Sequence, residues 1–285
     1  MSSQVWRTVY STIRLVNRSI PRRKRGTVYP DTLIVAMYFW SVLHDRPLCW
    51  AAQREHCRGA FRPPNLPSRS QFCRRIKSPR CQALLDAVYA RLARSDKATP
   101  FSYLDGRALP VGPYTKDPDA ARGYRAGGWA WGYKLHAIVS EDGRFTQIRV
   151  EPLNVGETTV AREMMDQASL GGILLADGNY DDGKLYDAVA QRSALLFTPL
   201  PENPGGGHRP QSWSRLLAAA AWENGEPWFY SKRREVERHF GQLSAFGGGL
   251  APLPAWVRTL ERVRRWVTAK ITIYHARLIH RGLAA

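Results

Sequence analysis

Apolar residues recur at helical spacing near both ends of the chain and alternate in its middle. Val5, Val9, Ile13 and Val16 fall three or four positions apart, which predicts a helix within residues 1–20. In "DTLIVAMYFW", Asp31 is placed to cap a helix running through Trp40 and beyond. Prolines break "RPPNLPSRSQFCRRIKS", after which Ser68 can cap a helix carrying Arg69, Arg74, Arg75 and Lys77; "QALLDAVYARLARS" predicts one more amphipathic helix. From Phe101 the pattern changes. "FSYLDGRALPV" reads as a strand, and "GYKLHAIVSEDGRFTQIRVEPLN" as a hairpin turning at Glu141-Asp142-Gly143. A helix ("GETTVAREMMDQAS"), a buried strand ("GGILLADGNYDD"), a helix ("GKLYDAVAQRS") and a strand ("ALLFTPLP") follow. After the Gly/Pro-rich "PENPGGGHRP" come an Ala-rich helix near Leu216–Trp222, a basic helix "FYSKRREVERHFGQL", and a long amphipathic helix over "LPAWVRTLERVRRWVTAKITIYHARLIHRG".

This order predicts two domains. Residues 1–98 form a helical, basic DNA-binding domain, with a helix-turn-helix-like reading open. Residues 99–285 form an α/β domain in which a mixed sheet has helices on its faces. Charge sharpens the picture. The first hundred residues hold 19 basic against 5 acidic side chains, the next hundred 10 against 13, and the last 85 hold 13 against 6. A net charge of +18 points to a polyanionic partner. No apolar run is long enough to span a bilayer, and the N-terminal stretch lacks the apolar core of a secretion signal. The four cysteines form no C-x-x-C pair, so they read as reduced thiols rather than a zinc site. "PRRKRG" supplies Arg22, Arg23, Lys24 and Arg25, either a solvated loop or a phosphate clamp.

Three carboxylates stand out by position. Asp105 follows the strand residues "FSYL", Asp177 ends "GGILLA", and Glu237 lies in the basic helix. Strand ends are where open α/β sheets build sites, and Gly178 lets the turn approach a ligand closely. In the helix, Val236, Phe240 and Leu243 make the apolar stripe, while Glu237 shares a face with Tyr230 and Arg233. Arg233 four residues before Glu237 is either a surface ion pair or a phosphate contact beside a metal-bound carboxylate. Glu235 points elsewhere and reads as a partner of Arg238 or Arg234. His136 reads as a packed strand histidine and His239 as a phosphate neighbour.

Tyr230, two residues, Arg233, three residues, Glu237 is similar to the opening of the tyrosine–arginine–glutamate–lysine signature of bacterial insertion-sequence transposases of the DDE type. "YLDGRALPV", "GYKLHAIV", "PLNVGE" and "LLADGNYD" extend the resemblance across residues 100–245. Ser244 stands where the signature has its lysine. The resemblance implies an RNase H-like catalytic core. It also implies Mg²⁺, with Mn²⁺ as a substitute, held by Asp105, Asp177 and Glu237. Its partner is double-stranded DNA, both transposon ends and target, gripped by a homodimer in the bacterial cytoplasm at the nucleoid. Tyr230, Arg233, Arg234 and Lys134 are implied as DNA contacts beside the basic residues of the first domain. The implied reaction is cleavage at transposon ends, then attack by a 3′-hydroxyl on target DNA. An inactive relative acting as a DNA-binding protein, and a metal-dependent nuclease, are the alternatives. Only about thirty residues separate the last strand from the Glu237 helix. That leaves no room for a large β-rich insertion, although Trp213, Trp222 or Trp228 could stack on an unpaired base.

Overall fold

The computed structural model describes residues 3–20, 28–57, 59, 61–95, 99–199, 212–246, 249–250 and 252–282. Arg22, Arg23, Lys24 and Arg25 lie outside the described residues. The chain divides into a helical unit, residues 1–94 with 243–285, and a sheet unit, residues 95–242.

In the helical unit, α1 (Ser3–Val16), α2 (Asp31–Leu43), α4 (Arg69–Arg75) and α5 (Pro79–Ala93) match the predicted helices, and the one-turn α3 (Leu48–Ala51) is an addition. Val5, Val9 and Ile13 are buried as their spacing requires. Ser68 caps α4 in a reciprocal box with Gln71. Asp31 does not cap α2. It is the helix's first residue, and its buried carboxylate accepts from Arg75 (2.5 Å) and Arg80 (3.0 Å). Taking a carboxylate out of water is tolerable only with such partners, so α4 and α5 are tied to α2 through it. The C-terminal helix α9 (Leu260–Gly282) packs against α1, α2 and α5 and completes this unit. That differs from the expected 99–285 domain. The apolar face of α9, with Val263, Val267, Ile271 and Tyr274 buried, is matched by helices nearly two hundred positions away.

The sheet unit carries six strands: β1 (Phe101–Pro110), β2 (Ala121–Arg125), β3 (Gly128–Ser140), β4 (Phe145–Pro152), β5 (Ile173–Ala176) and β6 (Leu195–Phe197). β3 and β4 form the expected hairpin about Glu141–Arg144. The order β4-β3-β1-β5-β6 places β1, β5 and β6 parallel with β3 antiparallel, the mixed sheet of an RNase H-like fold. Helices α6 (Glu157–Met165) and α7 (Gly183–Ala190) connect the parallel strands. β2 is an addition that the hydrophobic pattern did not announce. It pairs with the N-terminal end of β3, which runs on beyond the last β1 pair, Pro110 with Gly132.

The Ala-rich helix and the basic helix expected after β6 are one helix. α8 runs unbroken from Trp213 to Ser244 with Pro227 inside it. Packing on either side of the proline offsets its lost hydrogen bond. Trp222 stacks on Phe229 at 5.1 Å, Phe229 stacks on Phe197 at 4.5 Å, and a side chain at Gly225 would meet the Phe229 ring at 2.9 Å.

Candidate active site

The register of two parallel strands decides where the first two carboxylates go. Leu104 pairs with Ala176, the last matched position of β1 and β5. Asp105 and Asp177 are the next residue on each strand, so they stand side by side where the strands part. Asp105 accepts from the Gly106 N–H (2.7 Å), and Asp177 accepts from the Asn179 N–H (2.9 Å), starting a tight turn.

α8 lies along the face of β1 that Asp105 shares. Two positions before Asp105, the Tyr103 hydroxyl donates to Glu235 at 2.8 Å; two positions after, Arg107 donates to the Phe240 carbonyl at 3.2 Å. Val236, Phe240 and Leu243 are buried, and Phe240 meets Phe145 edge-on at 5.2 Å. This fixes the helix rotation. Arg233 then reaches Asp177 at 4.0 Å, and Glu237, one turn later, is exposed. Glu235 is engaged by Tyr103, Lys232 (3.5 Å) and Arg238 (3.8 Å), as a structural carboxylate would be.

Burial, chiefly, pushes the Asp105 carboxyl up to about 6; the charges of Asp177 and Glu157 add to this, while the Gly106 N–H and Arg233 oppose it. Asp177 is raised for the same first reason, with Glu157 next, against Asn179, Arg233 and Lys134. Glu157 is the residue that sequence reasoning passed over. It opens α6, bonds Lys134 at 2.6 Å, and lies within reach of Gly106, where an added methyl would meet its Oε1 at 3.2 Å. Its signal was present as the last letter of "PLNVGE". The buried Tyr180 hydroxyl lies beside the same spot, 3.5 Å from that methyl position, with no hydrogen-bond partner among the described residues.

Among the described residues no three His, Cys, Asp or Glu side chains lie close enough to hold a metal ion as they stand. The expected three-carboxylate cage is therefore not preassembled: Arg233 lies beside Asp177, and Glu237 is turned to solvent. The donor set still suits a hard divalent cation. Two oxygen ligands are crowded enough to hinder each other's ionisation, a conflict that a cation relieves.

That crowding has a measurable consequence. Between pH 3.8 and about 6 the folded state holds more protons on Asp105 than the unfolded chain does, so stability falls as pH rises across that window. Asp105→Asn should raise stability at pH 7 by roughly 1–3 kcal/mol, discounted for partial exposure, and flatten the fall. Thermal melts in chelator at pH 4 to 8 check both. Added Mg²⁺ should raise the wild-type melting temperature and leave that of Asp177→Asn unmoved.

Residues 96–274 match the family model for the transposase DDE domain. The chain belongs to the DDE transposase family. Among solved structures, it is similar to a piggyBac transposase synaptic complex with hairpin DNA determined by cryo-EM. That likeness has 10% sequence identity and a TM-score of 0.44, covering 98% of this chain and 72% of that one. No curated protein matches.

Other predicted contacts of this DDE transposase fall into three groups. Tyr230, Arg234, Arg69, Arg74 and Lys77 are exposed. Arg75 and Lys134 are occupied, by Asp31 and Glu157. His136 and His239 are buried. Burial, before the nearby cations Lys134 and Arg149, holds His136 down at about 4, so it is neutral; buried His239 is not a surface phosphate contact. Trp222 is buried, while Trp213 and Trp228 are exposed. In the helical unit, Arg69 and Lys77 share a cavity of about 230 Å³ with Arg46, Arg262, Arg265 and Trp256, and among the described residues no acidic side chain lines it. No described helix is long and apolar enough to cross a membrane.

Proposed function

We propose that this chain cuts double-stranded DNA at transposon ends and joins the resulting 3′-hydroxyls to target DNA. The observation that carries this reading is the side-by-side exit of Asp105 and Asp177 from paired parallel strands, with Arg233 over them and Glu237 one turn away. In this reading Asp105, Asp177 and Glu237 would hold the divalent cations. Bound Mg²⁺, or Mn²⁺ in its place, supplies activation of the attacking hydroxyl and stabilisation of the leaving oxygen. The chain's own residues do the rest. Arg233 lies against Asp177 until a phosphate arrives, then exchanges one anion for another. Burial around Asp105 limits water and strengthens each charge interaction. The signature subgroup is assigned to Tyr230, Arg233 and Glu237, and a homodimer is assigned to the reaction because two ends must be held together.

DNA grip is assigned to the basic surface of the helical unit. Affinity should fall with salt at a log–log slope of about −0.9 for each phosphate neutralised. Removing Arg69, Arg74 and Lys77 should lower that slope by two to three. Arg75→Ala should act differently, because it strips a partner from buried Asp31. It should destabilise the fold by about 2–4 kcal/mol before it affects the slope. Binding titrations at several salt concentrations, with melts of each variant, separate the two effects.

The direct test is a strand-transfer assay. DNA flanking the gene is searched for inverted repeats, and duplexes ending in those repeats are incubated with protein and Mg²⁺. Cleaved ends and joined products support the reading. Cleavage without joining would point to a nuclease. Binding without cleavage, unchanged in Asp177→Asn, would point to an inactive relative.

A further inference from the structure

The β2–β3 ribbon is the most unusual surface of the sheet unit. Arg122 pairs with Trp131 and Tyr124 with Trp129, so all four side chains stand on one face. Relative exposure is 64% for Tyr124, 65% for Trp129 and 41% for Trp131, on a protein that buries most of its large rings. The Arg122 guanidinium lies over the Trp129 ring at 5.2 Å, and Tyr124 meets Trp129 edge-on at 6.0 Å. The opposite face is closed. A Cβ at Gly123 would come within 2.4 Å of the Leu153 carbonyl oxygen, so the glycine lets the ribbon lie against the chain after β4 and turn its rings outward.

Charge says what suits these rings. From Ala120 to Ser140 no residue is acidic, whereas Arg122, Arg125 and Lys134 are basic. A second copy docking face to face would set arginines against arginines with no carboxylate between them. A nucleic-acid strand supplies the complement: phosphates for Arg122 and Arg125, and flat bases for the rings. A duplex hides its base faces in the stack, so an aromatic platform favours nucleotides that are unpaired. Continued along β3, the same alternation reaches Ala137, the partner of Asp105. Six residues separate Trp131 from Ala137, about 20 Å along a strand. At most about six nucleotide steps, the number needed at the 3.4 Å rise of a stacked strand, span the distance to the reacting phosphate.

We propose that the Arg122–Tyr124–Trp129–Trp131 face is a stacking platform for unpaired nucleotides of DNA running out of the active site. The proposal rests on the reading that Asp105 and Asp177 act on DNA, but its test measures binding and needs no cleavage. Full-length protein in chelator is titrated with three labelled oligonucleotides: a blunt duplex, the same duplex with a ten-nucleotide single-stranded arm, and the arm alone. The wild type should prefer the forked duplex to the blunt one. Trp129→Ala/Trp131→Ala should lose at least about tenfold on the forked and single-stranded probes and under twofold on the blunt duplex. Trp129→Tyr/Trp131→Tyr, which keeps two rings, should recover most of the loss. Equal loss on all three probes would make the ribbon a general phosphate contact and overturn the proposal. So would no loss on any probe. Light scattering that finds a wild-type dimer, absent in the alanine variant, would assign the face to a second copy instead. Melting temperatures within a few degrees of wild type guard against misfolding. If the fork preference holds while strand transfer fails, the platform stands and the cleavage reading falls.

Discussion

Glu237→Gln should abolish Mg²⁺-dependent cleavage, by at least about a thousandfold, while DNA binding stays within a fewfold of wild type. The helix rotation argues this. Val236, Phe240 and Leu243 are buried, Tyr103 holds Glu235, and Arg233 reaches Asp177, so the next turn on the Arg233 side belongs to Glu237. A glutamine there keeps shape and loses the charge that a second cation needs. Glu235→Gln is the control, two residues away and about 200° around the helix. Its carboxylate accepts from Tyr103 and faces Lys232 and Arg238, so the loss should appear as about 0.5–1.5 kcal/mol of stability. Its cleavage rate per folded molecule should be near wild type. Single-turnover cleavage of labelled end DNA, with a melt of each variant, measures both. A Glu235 variant that is the more damaged in rate would show that the other face of α8 meets the metals.

A large stability effect is expected far from this chemistry, at Lys270. Its side chain in α9 is fully buried, lies over the Trp266 ring at 5.1 Å, and donates to Asp45, which follows α2 with φ of 52°. Burial lowers the lysine's pKa and Asp45 opposes this. Asp45→Asn keeps a residue that tolerates positive φ and removes only the charge. It should cost about 2–4 kcal/mol at pH 7, because an ammonium is left buried without its counter-ion. The sign of the pH dependence identifies the cause. A folded-state pKa below 10.5 means that the unfolded chain binds the extra proton, so the variant's stability should climb as pH rises from 7 toward 10. Adding Lys270→Met should recover most of the loss. Chemical denaturation at pH 7 and 9.5 tests it, and a loss that does not shrink at the higher pH would assign the effect to backbone strain instead.

Where the message was local, it was legible in the sequence alone. Helix periodicity and caps depend on neighbours three or four residues away, so α1, α4, α5 and α9 could be read, with Ser68 capping α4 as expected. Strand alternation and the Asp–Gly turn sufficed for β1, β3 and β4. The placement of Asp105 and Asp177 at the ends of apolar runs was legible in the same way, and so was the exposed side of α8 that carries Glu237. What only the tertiary structure decided was the partner of each group. Arg74 and Arg75 are adjacent and chemically alike, yet one is exposed and the other is spent on Asp31, forty-four positions away. Lys134 looks like a DNA contact until Glu157 is found beside it, and the motif that ends in Glu157 does not say which cation it meets. α9 joins the N-terminal helices, and α8 runs through Pro227, because distant apolar surfaces outweigh local breakers. Periodicity is written within a few residues of chain. A charge's role depends on what the fold sets opposite it.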